Sequence, residues 1–142
     1  MLCFFLLLDI FLYWGFVKFF MPVLIALQAD FALDVATAAL KFFKDFFGLG
    51  FTLPKMDLVA VPDFYIGAME NWGLLTFRET ALLFHPSAST LSRKQYVAIL
   101  VCHEVAHQWF GNLVSIAWWD QLWLKACFLY RMVIDNKIDM CV

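Results

Sequence analysis

His103-Glu104-Val105-Ala106-His107 sits in a stretch that reads as one buried helix. Ser92-Arg93-Lys94-Gln95 has the form of a capping box, and Gly111-Asn112 supplies a stop beyond Phe110. Between them Val97, Ile99, Leu100, Val101, Val105 and Ala106 surround the helix with apolar groups. His103 and His107 are polar exceptions on it. Residues four apart lie one turn above each other on one helix face, so two imidazoles at that spacing can hold one metal ion. Glu104 sits about 100° round the helix, within reach of a water at that ion without being a ligand. The pattern alone also fits two histidines satisfied within a core, so the surrounding sequence has to decide.

Upstream of the helix stands Gly67-Ala68-Met69-Glu70-Asn71-Trp72-Gly73, and the helix itself continues as His107-Gln108-Trp109-Phe110-Gly111-Asn112. With Leu53 to Phe64 and Thr76 to Leu83, these stretches resemble the zinc aminopeptidases of the membrane alanyl aminopeptidase family, whose signatures are GAMEN followed by HExxH. The resemblance covers about Ala32 to Trp123. It implies an α+β fold, the first half of a thermolysin-like metallopeptidase catalytic domain. It also implies a Zn2+ ion on His103 and His107, Glu104 as general base, and a peptide N-terminus as partner. Glu70 would then pair with the substrate's α-amine, which fixes the cut one residue from the chain end. Gly67, Ala68, Met69 and Asn71 complete the substrate-binding stretch, the small residues letting a peptide approach closely.

One departure bears on activity. The family's third zinc ligand is a glutamate in a Trp-Leu-Asn-Glu-Gly-Phe stretch, whereas this chain reads Trp123-Leu124-Lys125-Ala126-Cys127-Phe128. Ala126 therefore occupies the ligand position. Asp120, Asp135 and Asp139 are out of register with it, and Cys127 would point about 100° away. The expectation is one weakly held zinc and little or no turnover. The alternative is a catalytically inactive, truncated homologue acting through membrane association or pairing with an intact homologue. Tyr130 falls too early to serve as the family's oxyanion-binding tyrosine.

The chain divides at residues 29 and 128. Residues 1–29 form an apolar leader, 30–128 the partial catalytic domain and 129–142 a divergent tail. From Ile10 to Ala29 the leader is long enough to cross a hydrocarbon core of roughly 30 Å as a helix. Lys18 at its middle costs about 2.5–3.5 kcal/mol, roughly what ten Leu, Ile, Phe or Val residues return. Because many family members carry an N-terminal anchor, the expectation is a transmembrane helix and a membrane location. The rival reading is unrelated coding sequence joined to a catalytic-domain fragment.

Composition agrees with an incomplete or membrane-associated unit. The chain is 64% hydrophobic and 15% charged, against about 25% charged in a typical soluble domain. A net charge of −2 and scattered basic residues argue against nucleic acid as a partner. Cys3, Cys102, Cys127 and Cys141 have no zinc-ribbon spacing and read as buried thiols. Asp30 to Phe47 has helical periodicity ending at Gly48, Lys55 to Val61 reads as a strand, and Trp72 to Phe77 as another. Arg78 and Glu79 are expected to make local polar contacts, and His85 to lie in an exposed loop.

Overall fold

The computed structural model describes residues 28–125 with their side chains, and the backbone of residues 5–12 and 15–22. It is a mixed α/β arrangement. One sheet has the order β1-β2-β3-β5-β4, formed by β1 (Phe5–Leu12), β2 (Gly15–Pro22), β3 (Lys55–Val61), β4 (Ala68–Met69) and β5 (Leu74–Arg78). β2, β3 and β5 run parallel, while β1 and β4 are antiparallel to their neighbours. Among the described residues the sheet is accompanied by the helices α1 (Asp30–Phe47), α2 (Glu79–Leu82) and α3 (Leu91–His107), with a short helical stretch over residues 119–125. α1 is the crossover between the parallel strands β2 and β3, which need a helix-length connection.

The leader departs from expectation. Phe5–Leu12 and Gly15–Pro22 are strands and not part of a transmembrane helix. Among the described residues no helix is long and apolar enough to cross a membrane. The physical reason is that an apolar run without polar positions has no period, so a buried strand and a buried helix read alike from it. Phe, Ile and Val favour the strand. The antiparallel register also sets Asp9 opposite Lys18, placing the leader's two charges on facing positions.

α1 forms where the periodicity predicts it. Its buried face is Ala32, Leu33, Val35, Ala36, Ala39 and Phe43. Gly48 ends it at φ 65°, the left-handed conformation that costs glycine nothing. That face packs on Val97, Val101, Cys102 and Val105 of α3 and on Met56, Leu58, Leu75 and Phe77 of the sheet, in one core cluster. Burying a Leu, Val or Phe side chain stabilises by about 1.5–3 kcal/mol, so this face fixes how α3 lies. Phe43, Phe47 and Phe51 then gather round Trp109, with centroids 5.9–6.1 Å from its ring. Trp109 donates its indole N–H to the carbonyl of Leu49 at 2.8 Å. The end of α1 is thereby tied to the residue two positions past His107.

α3 starts two residues earlier than the capping box suggests. Thr90, in extended conformation, is the N-cap, and its hydroxyl accepts from the Arg93 N–H at 3.2 Å. Ser92 falls inside the first turn, because Thr90 is the last residue whose backbone is extended. The helix ends at His107 and tightens, with Gln108 N–H and Trp109 N–H bonding three residues back to Val105 and Ala106. Its outer face is also more open than an all-round apolar pattern implies, since Tyr96 and Ile99 are exposed.

β3 matches its expected span, and β5 begins two residues later than expected. Arg78 does make local contacts: its guanidinium donates to the carbonyls of Phe64 (2.7 Å) and Tyr65, which folds the loop before Gly67. Trp118, Trp119 and Trp123 are exposed. Ala126, Cys127, Tyr130, Asp135, Asp139, Cys3, Cys141 and the tail from residue 129 lie outside the described residues.

Candidate functional site

α3 carries His103, Glu104 and His107 toward its C-terminal end, where Val101, Val105 and Ala106 belong to the core. His103 and His107 face each other with ring centroids 4.6 Å apart and their Nε2 atoms 3.1 Å apart. His107 places Nδ1 3.1 Å from the Phe110 carbonyl. A carbonyl can only accept, so this contact puts the proton on Nδ1 and leaves Nε2 as a bare donor atom. Burial holds the pKa of both rings down, that of His103 to about 4, and so keeps them in the neutral form that a metal needs.

Gly111 makes this turn possible. Its φ is 137°, and a Cβ there would lie 2.8 Å from His107 Nδ1 and 3.0 Å from Lys125 Cε. Only a glycine takes that backbone shape and leaves both side chains in place.

Glu104 is buried, and its Oε2 has no hydrogen-bond partner among the described residues. Burial foremost, then the charge of Glu70, pushes its carboxyl up to about 8. A buried carboxyl oxygen without a partner is costly, and a cation is one way to satisfy it. Glu70 lies alongside. Burial would raise its pKa, but the hydrogen bond from Lys125 and the nearby charges outweigh that and hold the carboxyl below its ordinary value. Glu70, Glu104 and His107 each offer a donor atom, and these three atoms lie within 4.8 Å of one another.

Two side chains hold Glu70's loop against α3, and sequence reasoning gave neither a role. Gln108 accepts from the Gly73 N–H at 2.9 Å and donates to the Glu70 carbonyl at 3.3 Å. Asn112 donates to that same carbonyl at 2.7 Å. The signal was present: Gln108 is a polar residue in an otherwise apolar run, and buried polar groups need partners. A third unforeseen residue is Lys125, whose ammonium contacts Glu70 Oε1 at 2.6 Å.

The remaining expected residues spread along the edge strand. Ala68 and Met69 form β4, paired with Phe77 and Thr76 of β5. Gly67 accepts from the Arg78 N–H at 2.9 Å, and Asn71 donates its side-chain amide to Thr76 at 3.2 Å. The edge of this sheet therefore runs beside the end of α3. His85 lies in an exposed loop, its Nδ1 3.1 Å from the Ser87 hydroxyl. Cys102 is a buried thiol whose pKa burial pushes up to about 12.

A helix presenting two neutral imidazoles and a buried acid, beside a sheet edge presenting a second acid, is a donor set that suits a metal ion. Comparison with known proteins narrows this. The Peptidase family M1 domain matches residues 31–138, so the chain belongs to that family. It is 55% identical over 101 residues to human endoplasmic reticulum aminopeptidase 1, a match covering 71% of this chain and 11% of that protein. It is 59% identical over 101 residues to aminopeptidase M1-B of Oryza sativa subsp. japonica, covering 71% and 12%. Bovine glutamyl aminopeptidase is 51% identical over 100 residues, covering 70% and 10%. The chain thus spans about a tenth of the length of these relatives.

Proposed function

We propose that this chain carries the metal-holding and amine-anchoring part of a zinc aminopeptidase, the first half of a thermolysin-like catalytic domain. The observation that carries the reading is the convergence of His103 and His107 Nε2 atoms at 3.1 Å beside the unpartnered Glu104. Two nitrogens each about 2.0–2.1 Å from a tetrahedral zinc stand roughly 3.3 Å apart, so the donor set fits the ion. His103 and His107 would hold it. A bound zinc supplies Lewis acidity to a peptide carbonyl and to an attacking water.

This chain's own residues do the rest. Burial raises the Glu104 carboxyl to about 8, so it would act in the ionised form that a cation at the site favours, taking a proton from the water and returning one to the leaving amine. Glu70 would pair with the α-ammonium of the peptide and so orient its first carbonyl toward His103 and His107. The backbone of Gly67, Ala68 and Met69 at the sheet edge lines the peptide, and Asn71 closes that stretch.

Ala126 offers no donor atom at the position where the resemblance calls for a third ligand. With two protein ligands the ion is held weakly and turnover is low. A second reading is therefore a catalytically silent relative, and the Lys125 ion pair on Glu70 favours it for this chain.

The test is zinc stoichiometry by elemental analysis after dialysis against nanomolar free zinc. Well under one zinc per chain is expected, with Ala126→Glu raising zinc affinity by at least about 10–100-fold. Loss of residual zinc in His103→Ala and His107→Ala would support the two ligands. A full complement of zinc that survives both substitutions would refute the assignment.

A further inference from the structure

We propose that Lys125 is a built-in occupant of the amine site: its ammonium sits on the Glu70 carboxylate in the place of a peptide's α-ammonium, so a free N-terminus binds only by displacing it. The inference rests on the reading of Glu70 as amine anchor.

The contact is a short, charge-assisted one. Lys125 Nζ lies 2.6 Å from Glu70 Oε1, and the two side chains are 30% and 20% exposed, so the pair is largely withdrawn from water. A lysine ammonium has the charge and the three N–H donors of an N-terminal ammonium, and the carboxylate cannot tell them apart by chemistry. Two such cations on one partly buried carboxylate repel each other strongly, because the local dielectric is low. Binding at Glu70 is therefore competitive.

The surroundings are shaped for this side chain. Gln108 and Asn112, just beyond α3, hold the Glu70 backbone carbonyl, so the residue that bears the carboxylate is anchored by bonds independent of Lys125. Gly111 leaves room for the lysine stem, since a Cβ there would come within 3.0 Å of Lys125 Cε. The helical turn that bears Lys125, residues 122–125, is by contrast lightly held: Leu122 and Trp123 are 48% and 63% exposed. A fixed anion faced by a cation on a loosely packed turn is a contact that a competing amine can open.

The experiment titrates the protein with alaninamide, which has a free amine, and with N-acetylalaninamide, which has none, following binding by NMR. Lys125→Ala and Lys125→Met should each bind alaninamide at least about tenfold more tightly than the unaltered chain, with no change for the acetylated probe. Adding Glu70→Gln to Lys125→Ala should abolish the gain. In the unaltered chain with 13C-labelled lysine, saturating alaninamide should move the Lys125 Cε resonance to that of an exposed lysine, a readout that does not depend on any variant folding. Suppose instead that the Lys125 variants bind alaninamide no more tightly, while the unaltered chain prefers the free amine and loses that preference in Glu70→Gln. Self-occupation is then wrong and Glu70 remains the amine anchor. Alaninamide binding indifferent to Glu70→Gln in every background would overturn the anchor reading, and this inference with it.

Discussion

Gln108 is the side chain on which the alignment of the sheet edge with the end of α3 turns, and truncating it to alanine is a direct test. It is 2% exposed. In Gln108→Ala the Gly73 N–H loses its acceptor, and the Glu70 carbonyl keeps only Asn112 of its two amide donors. A buried donor left unpaired costs about 1–3 kcal/mol, and the lost methylene adds about 0.8 kcal/mol, so the expected destabilisation is about 2–4 kcal/mol. Urea unfolding followed by circular dichroism measures it, as a lower midpoint at unchanged slope. Because Gln108 and Asn112 share one carbonyl, the pair should not be additive. Gln108→Ala with Asn112→Ala should exceed the sum of the single changes by at least about 0.5 kcal/mol, since only the double variant strips the carbonyl of both donors. A single-variant cost under about 0.5 kcal/mol, or strict additivity, would refute the argument that these two amides fix Glu70's loop to α3.

Stability of the metal-free protein should peak near pH 6.5, because below that value two depressed imidazoles, His103 and His107, act against the single raised carboxyl of Glu104. Below that value the unfolded imidazole takes up a proton that folded His103 accepts only at about pH 4, so stability falls as pH drops between the two. Glu104 acts in the opposite sense: the folded carboxyl keeps its proton up to about pH 8, so its contribution is complete below the ordinary carboxyl pKa of 4.5 and is lost as pH rises from there to about 8. The two oppose each other between pH 4.5 and 6.5, which leaves the decline from 6.5 to 8 to Glu104. Melting temperatures in chelator across that range should fall in the unaltered chain and stay level in Glu104→Gln; an equal fall in both would remove Glu104 as the cause. Phe43, fully buried between α1 and Trp109, should cost about 3–5 kcal/mol when cut to alanine, and a loss below about 1 kcal/mol would show that this aromatic cluster does not hold the end of α3.

The leader shows why part of the fold was illegible. α1 was readable to the residue because its apolar positions recur with the helical period and Gly48 stops it. The same reasoning had nothing to work on in residues 5–22, where apolar residues fill every face and strand pairing decides the outcome. Thr90 and Ser92 illustrate a finer limit: both can cap, and only the backbone conformation at Thr90 selects between them.

The sequence by itself determined the local chemistry. Spacing of four put His103 and His107 on one face of α3, and the stretch around Glu70 carried its likeness to an amine-binding motif in residue types alone. Only the tertiary structure decided what meets what. Glu70 and His107 come together because the sheet edge packs beside the end of α3, with Gln108 and Asn112 bonding across 38 and 42 positions of chain. Lys125 reaches Glu70 across 55 positions. Such contacts depend on how one core packs helix against sheet, and no local period or propensity encodes them.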